Sequence, residues 1–541
     1  MNNCNSQISV PKNEPVLNYM PESNETKELK KALSSLSGVE TEVSPIINGK
    51  AVRTGKTDAI TQPHKYQHKL GLYHKAGPEE VRSAIKGAMA VAKDWAAMPA
   101  SSRAAIFLKA AELLSTKYRP ILNAATMLGQ SKTCYQAEID SACEMIDFLR
   151  FNCYFQEQMY SMQPLSGPGM WNHMEYRPLE GFVFAVTPFN FTAIAGNLTT
   201  SAALLGNVVV WKPASTAVYS GHFIMKLLEE AGLPPGVIQF VPGSGAAVGD
   251  LCLKDPNLAG VHFTGSTGVF QDMWKNIGNQ IHHYRSYPRI VGETGGKDFV
   301  FAHPSADVEG LVANTIRGAF EYQGQKCSAA SRAYIPKSLW KEVKERIIAE
   351  VKTIKMGDVA DFRNFMGAVI DKKSFDNIRR YIEGVKNSSE AEIIVGGNCR
   401  DEEGYFVEPT IIETKNPAYQ TMCEEIFGPV LTVYAYDDDK YEETLRICDA
   451  TSPYALTGCI WAQDRKAIDT ALRILHQSAG NFYINNKPTG AVVGQQPFGG
   501  ARGSGTNDKA GSLLNLLRWV SVRTVSETFA PPKNYRYPFM A

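Results

Sequence analysis

Net charge is nearly absent from this 541-residue chain: 56 Lys and Arg against 55 Asp and Glu leave +1 at pH 7. With no strong field of either sign, neither a nucleic-acid backbone nor an anionic membrane surface is favoured as a partner. Cysteine pairing signals are also missing. The ten cysteines, Cys4, Cys134, Cys143, Cys153, Cys252, Cys327, Cys399, Cys423, Cys448 and Cys459, form no CxxC. That spacing excludes a zinc ribbon and a compact disulfide scaffold and points to a reducing compartment. His64 and His68 lack a companion acid, so no metal is expected. There is no GxSxG elbow, no GxxxxGK[ST] loop and no HExxH, which removes the corresponding hydrolase, nucleotidase and metalloprotease readings.

No apolar segment follows Met1, so no secretory signal is read there. The first arginine is Arg53, and Glu14, Glu22, Glu25 and Glu28 precede it, the reverse of an Arg-rich, acid-poor transit peptide. The expectation is a cytoplasmic protein, with the mitochondrial matrix as the alternative. One stretch, Gly181 to Trp211, has no Asp, Glu, Lys or Arg. Thr187, Asn190, Thr192, Asn197, Thr199 and Thr200 interrupt it and Pro188 breaks it, so it reads as strand, loop, buried helix and strand, with no membrane span.

What is present is an ordinary soluble composition, 44% hydrophobic, with length enough for more than one core. Residues 1–45 are polar, with Pro11, Pro15 and Pro21, and predict an extended arm and a short helix near 24–36. Ala84, Ala88, Val91, Ala92 and Trp95 carry a helical period within 78–160. From 181 onward uninterrupted apolar runs alternate with helices: Phe182–Val186, Asn207–Trp211, Val237–Val241 and Leu258–Phe263. Such runs imply a parallel sheet covered on both faces, the frame of a dinucleotide-binding domain. After Glu293 the pattern restarts as a second α/β domain. Met170–Arg177 and Arg518–Thr524 alternate instead, which suits a projecting β arm that pairs with another subunit.

The chemistry gathers at strand ends. Cys327, in Gly324-Gln325-Lys326-Cys327-Ser328-Ala329, is a candidate nucleophile in a small-residue setting, and Lys326 beside it is expected to favour the thiolate. Glu293, in Glu293-Thr294-Gly295-Gly296-Lys297, is a carboxylate able to activate water. Asn190 follows a strand and can donate to an oxyanion. Lys212 ends the next strand, within reach of ribose hydroxyls or a 2′-phosphate. Gly265 and Ser266 open a helix, where free N–H groups attract a pyrophosphate. Each alone is weak: lone cysteines pack, lone asparagines turn chains, lone lysines are solvated. Gly243–Gly249 misses the GxGxxG spacing and is read as a tight turn with no phosphate role.

Taken in order, Pro188-Phe189-Asn190-Phe191, Lys212-Pro213-Ala214-Ser215, Phe263-Thr264-Gly265-Ser266, Glu293-Thr294-Gly295-Gly296-Lys297, Gly324-Gln325-Lys326-Cys327 and Glu424-Glu425-Ile426-Phe427-Gly428-Pro429-Val430 resemble the NAD(P)-dependent aldehyde dehydrogenase superfamily from about residue 45 to 525. Phe320–Ala329 and Val493–Lys509 resemble its members that oxidise L-glutamate 5-semialdehyde, the second step of proline breakdown. The resemblance implies a Rossmann-like cofactor domain (1–162 and 184–292, with an N-terminal arm), a catalytic α/β domain (293–495), and an oligomerisation arm with a C-terminal tail (163–183 and 496–541). It implies NAD as cofactor, a small-molecule substrate, and at least a homodimer. Cys327 would form the thioester, Asn190 and the Cys327 N–H would hold the oxyanion, and Glu293 would activate water. Lys212, Ser215, Gly265, Ser266, Glu425 and Phe427 would bind the cofactor. Phe191 and Phe498 would sandwich the substrate's aliphatic part, and Ser328, Gly490 and Ala491 would receive its carboxylate.

Two positions bear on specificity. Members of that subgroup usually carry Ser where this chain has Ala491, so a hydroxyl donor is lost and weaker substrate binding is expected. Ser215 permits either cofactor, whereas an acid there would repel a 2′-phosphate; NAD follows from the subgroup. The competing readings are oxidation of another ω-semialdehyde or a general aldehyde, and a catalytically silent relative. Silent relatives lose the nucleophile or the base, and both are present here.

Overall fold

The computed structural model describes residues 7–540; Cys4 and the chain's first and last residues lie outside the described residues. The polar start runs extended to a helix at Asn24–Ser37, where Ser23 Oγ accepts from the Thr26 N–H. This N-cap, with Leu29 and Leu33 buried, is the signal read near 24–36. Strands Thr41–Val43, Lys65–His74 and Thr57–Gln62 then make a three-stranded sheet that sequence patterning missed. Their faces alternate irregularly, and the pair 57–62/65–74 shifts register twice.

Helices Pro78–Ala97, Ala100–Ser115, Arg119–Gln130 and Glu144–Tyr160 fill the predicted helical span. Within it, Glu138–Cys143 is a π-helical turn. The wider turn breaks the 3.6 period locally and is a common device at functional sites.

The first large sheet has the order Arg289–Glu293, Leu258–Thr264, Phe182–Val186, Val208–Lys212, Ile238–Phe240, Ile46–Ile47, Lys50–Ala51. Its first five strands are parallel. Phe182–Val186 is bounded on one side by the strand that follows it and on the other by Leu258–Thr264. The winding direction reverses there, and crevices beyond strand carboxyl ends at such a point bind ligands. Helices Thr192–Leu204, Val218–Ala231, Gly245–Lys254 and Thr267–Asn279 connect the strands.

The second large sheet runs Ala391–Val395, Thr410–Thr414, Val430–Tyr436, Ala330–Pro336, Asp298–Ala302, Thr457–Trp461, Asn481–Ile484, parallel except at the antiparallel edge strand Ala391–Val395. Met170–Pro178 and Val520–Thr528 pair antiparallel along their whole length as a separate ribbon. The strand expected from Arg518 begins only at Val520. Arg518 lies in a 3-10 turn, because Trp519 is fully buried against His262, ring centroids 4.5 Å apart. Among the described residues no helix is long and apolar enough to cross a membrane, and the 181–211 stretch is strand, buried helix and strand.

Candidate active site

Cys327 sits just before strand Ala330–Pro336, only 9% exposed. It borders a cavity of about 310 Å³ whose lining also includes Phe191, Ser328, Gly490, Ala491 and Phe498. The candidate nucleophile and every residue expected to touch substrate therefore meet in one space. Ser328 Oγ shares a 2.7 Å hydrogen bond with Thr489 Oγ1, joining the cysteine loop to the loop that carries Gly490. Gly490 has φ +90°, a backbone geometry that suits glycine and turns its neighbours' N–H groups toward a ligand.

Burial and the carboxyls of Asp298, Glu293 and Glu425 push the Cys327 thiol well above its ordinary pKa. Lys326 does not act as expected. Its ammonium is committed to Glu321 Oε2 at 3.4 Å and Asp140 Oδ2 at 3.6 Å, so its charge is neutralised by buried acids instead of favouring the neighbouring thiolate.

Glu293 ends the strand paired with Leu258–Thr264, with Thr264 opposite Glu293 in register. The Gly265 N–H donates to the Glu293 carbonyl at 3.2 Å. One register position thus places the base beside the loop expected to hold a pyrophosphate. The Glu293 carboxylate accepts from the Gly500 N–H at 3.2 Å, and burial raises its pKa well above the usual value.

Asn190 is 3% exposed and its Nδ2 donates to the Gln325 carbonyl at 3.1 Å, two residues before Cys327. Nδ2 carries two hydrogens, and this bond uses one. Asn190 does not line the cavity itself; it stands behind the cysteine loop.

On the other side of the site, Lys212 ends its strand, its ammonium makes no hydrogen bond or ion pair among the described residues, and burial lowers its pKa. A desolvated cation of this kind accepts a polyhydroxyl or anionic partner. Ser215 is exposed at the start of a 3-10 turn. Ser266 caps helix Thr267–Asn279 without using its side chain, leaving first-turn N–H groups for an anion. Glu425 accepts from the Gly296 N–H at 2.8 Å, and burial raises its carboxyl to about 7. Phe427, at φ +59°, meets Phe189 edge-on with centroids 5.8 Å apart. These residues fit a dinucleotide laid across the strand ends.

Gly296 is a close-approach position. A Cβ there would stand 2.1 Å from the Cys327 carbonyl oxygen and 2.4 Å from Asp298 Oδ2, so only glycine leaves room for the cysteine loop.

Sequence reasoning missed a buried charge cluster behind the cavity. Lys132, fully buried, pairs with Asp140 at 2.5 Å and lies over the Phe191 ring at 4.3 Å. Lys487 pairs with Glu321 at 3.2 Å. Glu144, one step beyond the π turn, borders the cavity, and its carboxyl makes no direct hydrogen bond or ion pair among the described residues. Burial raises its carboxyl well above normal, with Asp140 adding to that and Lys132 and Lys326 opposing it. Charged residues inside an otherwise apolar helical span were the available signal.

Residues 52–525 match the model of the aldehyde dehydrogenase family. The chain belongs to that family. A Dictyostelium discoideum protein named delta-1-pyrroline-5-carboxylate dehydrogenase, mitochondrial, is 55% identical over 99% of this chain and 96% of its own length. The Homo sapiens protein of the same name is 47% identical over 98% of this chain and 94% of its own. A crystal structure of the Mycobacterium tuberculosis delta-pyrroline-5-carboxylate dehydrogenase bound with NAD matches at a TM-score of 0.97 and 50% identity, covering 100% of both chains. The aldehyde dehydrogenase fold expected from the motifs is therefore the fold of this chain.

Proposed function

We propose that this aldehyde dehydrogenase oxidises L-glutamate 5-semialdehyde, which cyclises to Δ1-pyrroline-5-carboxylate, to L-glutamate with NAD, the second step of proline catabolism. One observation carries the reading. The Cys327 cavity offers a loop of N–H and hydroxyl donors at Ser328, Gly490 and Ala491, and an unpaired carboxylate at Glu144. An α-amino acid bearing a terminal aldehyde needs that combination: donors for its carboxylate, an acid for its ammonium, and a thiol at its far end. A plain aliphatic aldehyde offers Glu144 no cation and leaves that carboxyl in its neutral form, whereas an ammonium beside it favours the carboxylate.

The residues divide the work as follows. The Cys327 thiol loses its proton to solvent, the thiolate Sγ attacks the aldehyde carbon, and the Cys327 N–H and the second Asn190 N–H receive the oxyanion. NAD, when bound, supplies the two-electron acceptor that converts the adduct to a thioester. Lys212, Ser215, Gly265, Ser266, Glu425 and Phe427 hold it through ribose, phosphate and ring contacts. Glu293 takes a proton from water, the hydroxide oxygen adds to the thioester carbon, and the carbon–sulfur bond breaks to return the thiol. Phe191 and Phe498 enclose the methylene carbons.

The domain division follows the same reading: cofactor domain 1–162 and 184–292, catalytic domain 293–495, arm and tail 163–183 and 496–541. The 170–178/520–528 ribbon supports assembly into at least a homodimer. The mitochondrial names of eukaryotic relatives favour the matrix over the cytoplasm.

Purified protein given glutamate semialdehyde should produce NADH, with kcat/KM well above that for hexanal and with NAD preferred to NADP. Equal kcat/KM for the two aldehydes would replace this reading with a general aldehyde oxidation.

A further inference from the structure

Among the described residues the N-terminal arm forms no helix or strand before Asn24, so its backbone N–H groups need other acceptors. They find acids on the helices beneath, two of them buried. The Ile8 N–H donates to Glu157 Oε2 at 2.6 Å, the Glu14 N–H to Asp147 Oδ1 at 2.7 Å, and the Leu17 N–H to Glu138 Oε1 at 2.9 Å. The Glu14 carboxylate spans Arg119 and Arg150 at 2.6 Å each, and Arg119 Nη2 donates to the Pro15 carbonyl at 2.7 Å. Charge-assisted bonds of this kind are the strong ones. The arm is therefore fastened along the helices that back the active-site cavity.

Asn13 faces the other way. Its Nδ2 donates to Asp147 Oδ2 and to the Val493 carbonyl, both at 2.8 Å, and its Oδ1 accepts from Gln495 Nε2 at 2.8 Å. Val493 and Gln495 belong to the loop that carries Gly490 and Ala491. That loop is closed on itself by the Gln495 and Gln496 N–H groups, which donate to the Val492 carbonyl at 3.0 and 2.9 Å. Asn13, Glu14 and Val16 also line the cavity shared by Cys327, Ser328 and Gly490.

We propose that the N-terminal arm is a wall of the substrate pocket, and that Asn13 is a positioning residue that fixes the 489–496 loop to receive the substrate carboxylate. The proposal rests on the glutamate semialdehyde reading for its substrate and on the Asn13 contacts for its mechanism. A side chain from the chain's opposite end thereby sets selectivity for carboxylate-bearing aldehydes.

The test uses the full-length protein, Asn13→Ala, and Lys12→Ala as a neighbouring exposed control. Amide hydrogen exchange is followed over 489–496, and kcat and KM are measured for glutamate semialdehyde and hexanal. Asn13→Ala should speed exchange in the loop and raise KM for glutamate semialdehyde about tenfold. The kcat values, KM for hexanal and every property of Lys12→Ala should stay near wild type. Unaltered loop exchange overturns the proposal, as does an equal KM rise for both aldehydes. If the wild-type protein does not oxidise glutamate semialdehyde at all, the functional reading falls, and loop exchange alone decides whether Asn13 positions the loop.

Discussion

Lys326 Nζ lies 3.4 Å from Glu321 Oε2, so the cation next to the nucleophile in sequence is paired with a buried acid. The thiol is left among carboxyls that oppose its ionisation. In the cofactor-free enzyme the thiolate fraction, and with it the rate of alkylation by iodoacetamide, should climb with pH on a limb lying above the ordinary thiol pKa. Lys326→Gln should leave that limb in place and lower Tm only modestly, because Asp140 keeps Lys132 and Glu321 keeps Lys487 as partners. A limb that moves to higher pH in Lys326→Gln would show that the lysine activates the thiol after all.

Glu293 and Asn190 should separate kinetically. Glu293→Gln should keep a single burst of NADH, since thiol attack does not need this carboxylate, and lose about 10²–10⁴-fold in steady turnover. Cys327→Ala should show no burst. Asn190→Ala should lower kcat about 10²–10³-fold with little change in KM. Stopped-flow absorbance at 340 nm reads all three.

Ala491 borders the pocket beside Gly490. Ala491→Ser should supply one more donor to the substrate carboxylate and lower KM for glutamate semialdehyde several-fold, by about 1 kcal/mol of binding, with kcat unchanged. An unchanged KM would show that the hydroxyl has no contact with substrate.

The ribbon of 170–178 and 520–528 keeps Trp171 51% and Val522 44% exposed. A two-stranded ribbon with bare apolar side chains is marginal alone, and a second subunit would cover it. Trp171→Glu with Val522→Glu should shift sedimentation to a smaller species; an unaltered distribution would place the subunit contact elsewhere.

The large elements were readable because buried parallel strands are continuous apolar runs: Phe182–Val186 and Leu258–Thr264 announce themselves residue by residue. The residues expected to act as nucleophile, base and cofactor ligands stood out because each sits in a short motif near a strand end. Asn13 and Glu144 did not, because the fold alone brings Asn13 to Val493 and Gln495 and both residues to the Cys327 cavity, and their immediate neighbours carry no motif. Lys326 misled for the same reason. Adjacency to Cys327 in sequence says nothing about where a long side chain finds its counter-charge, and here the π turn delivers Asp140. The 41–74 strands escaped because their irregular registers dilute the alternation that marks a half-buried strand.

Gly296 gives its N–H to Glu425 and the space of its missing side chain to the Cys327 carbonyl. The Glu293 turn, the Cys327 loop and the Glu425 carboxylate are thus gauged against one another at a single point. A single methyl there acts as a shim driven into a joint. Alanine at 296 should fold, yet knock nucleophile and cofactor acid out of alignment together, so a library scan would flag as intolerant a site that no contact map of the bound substrate would include.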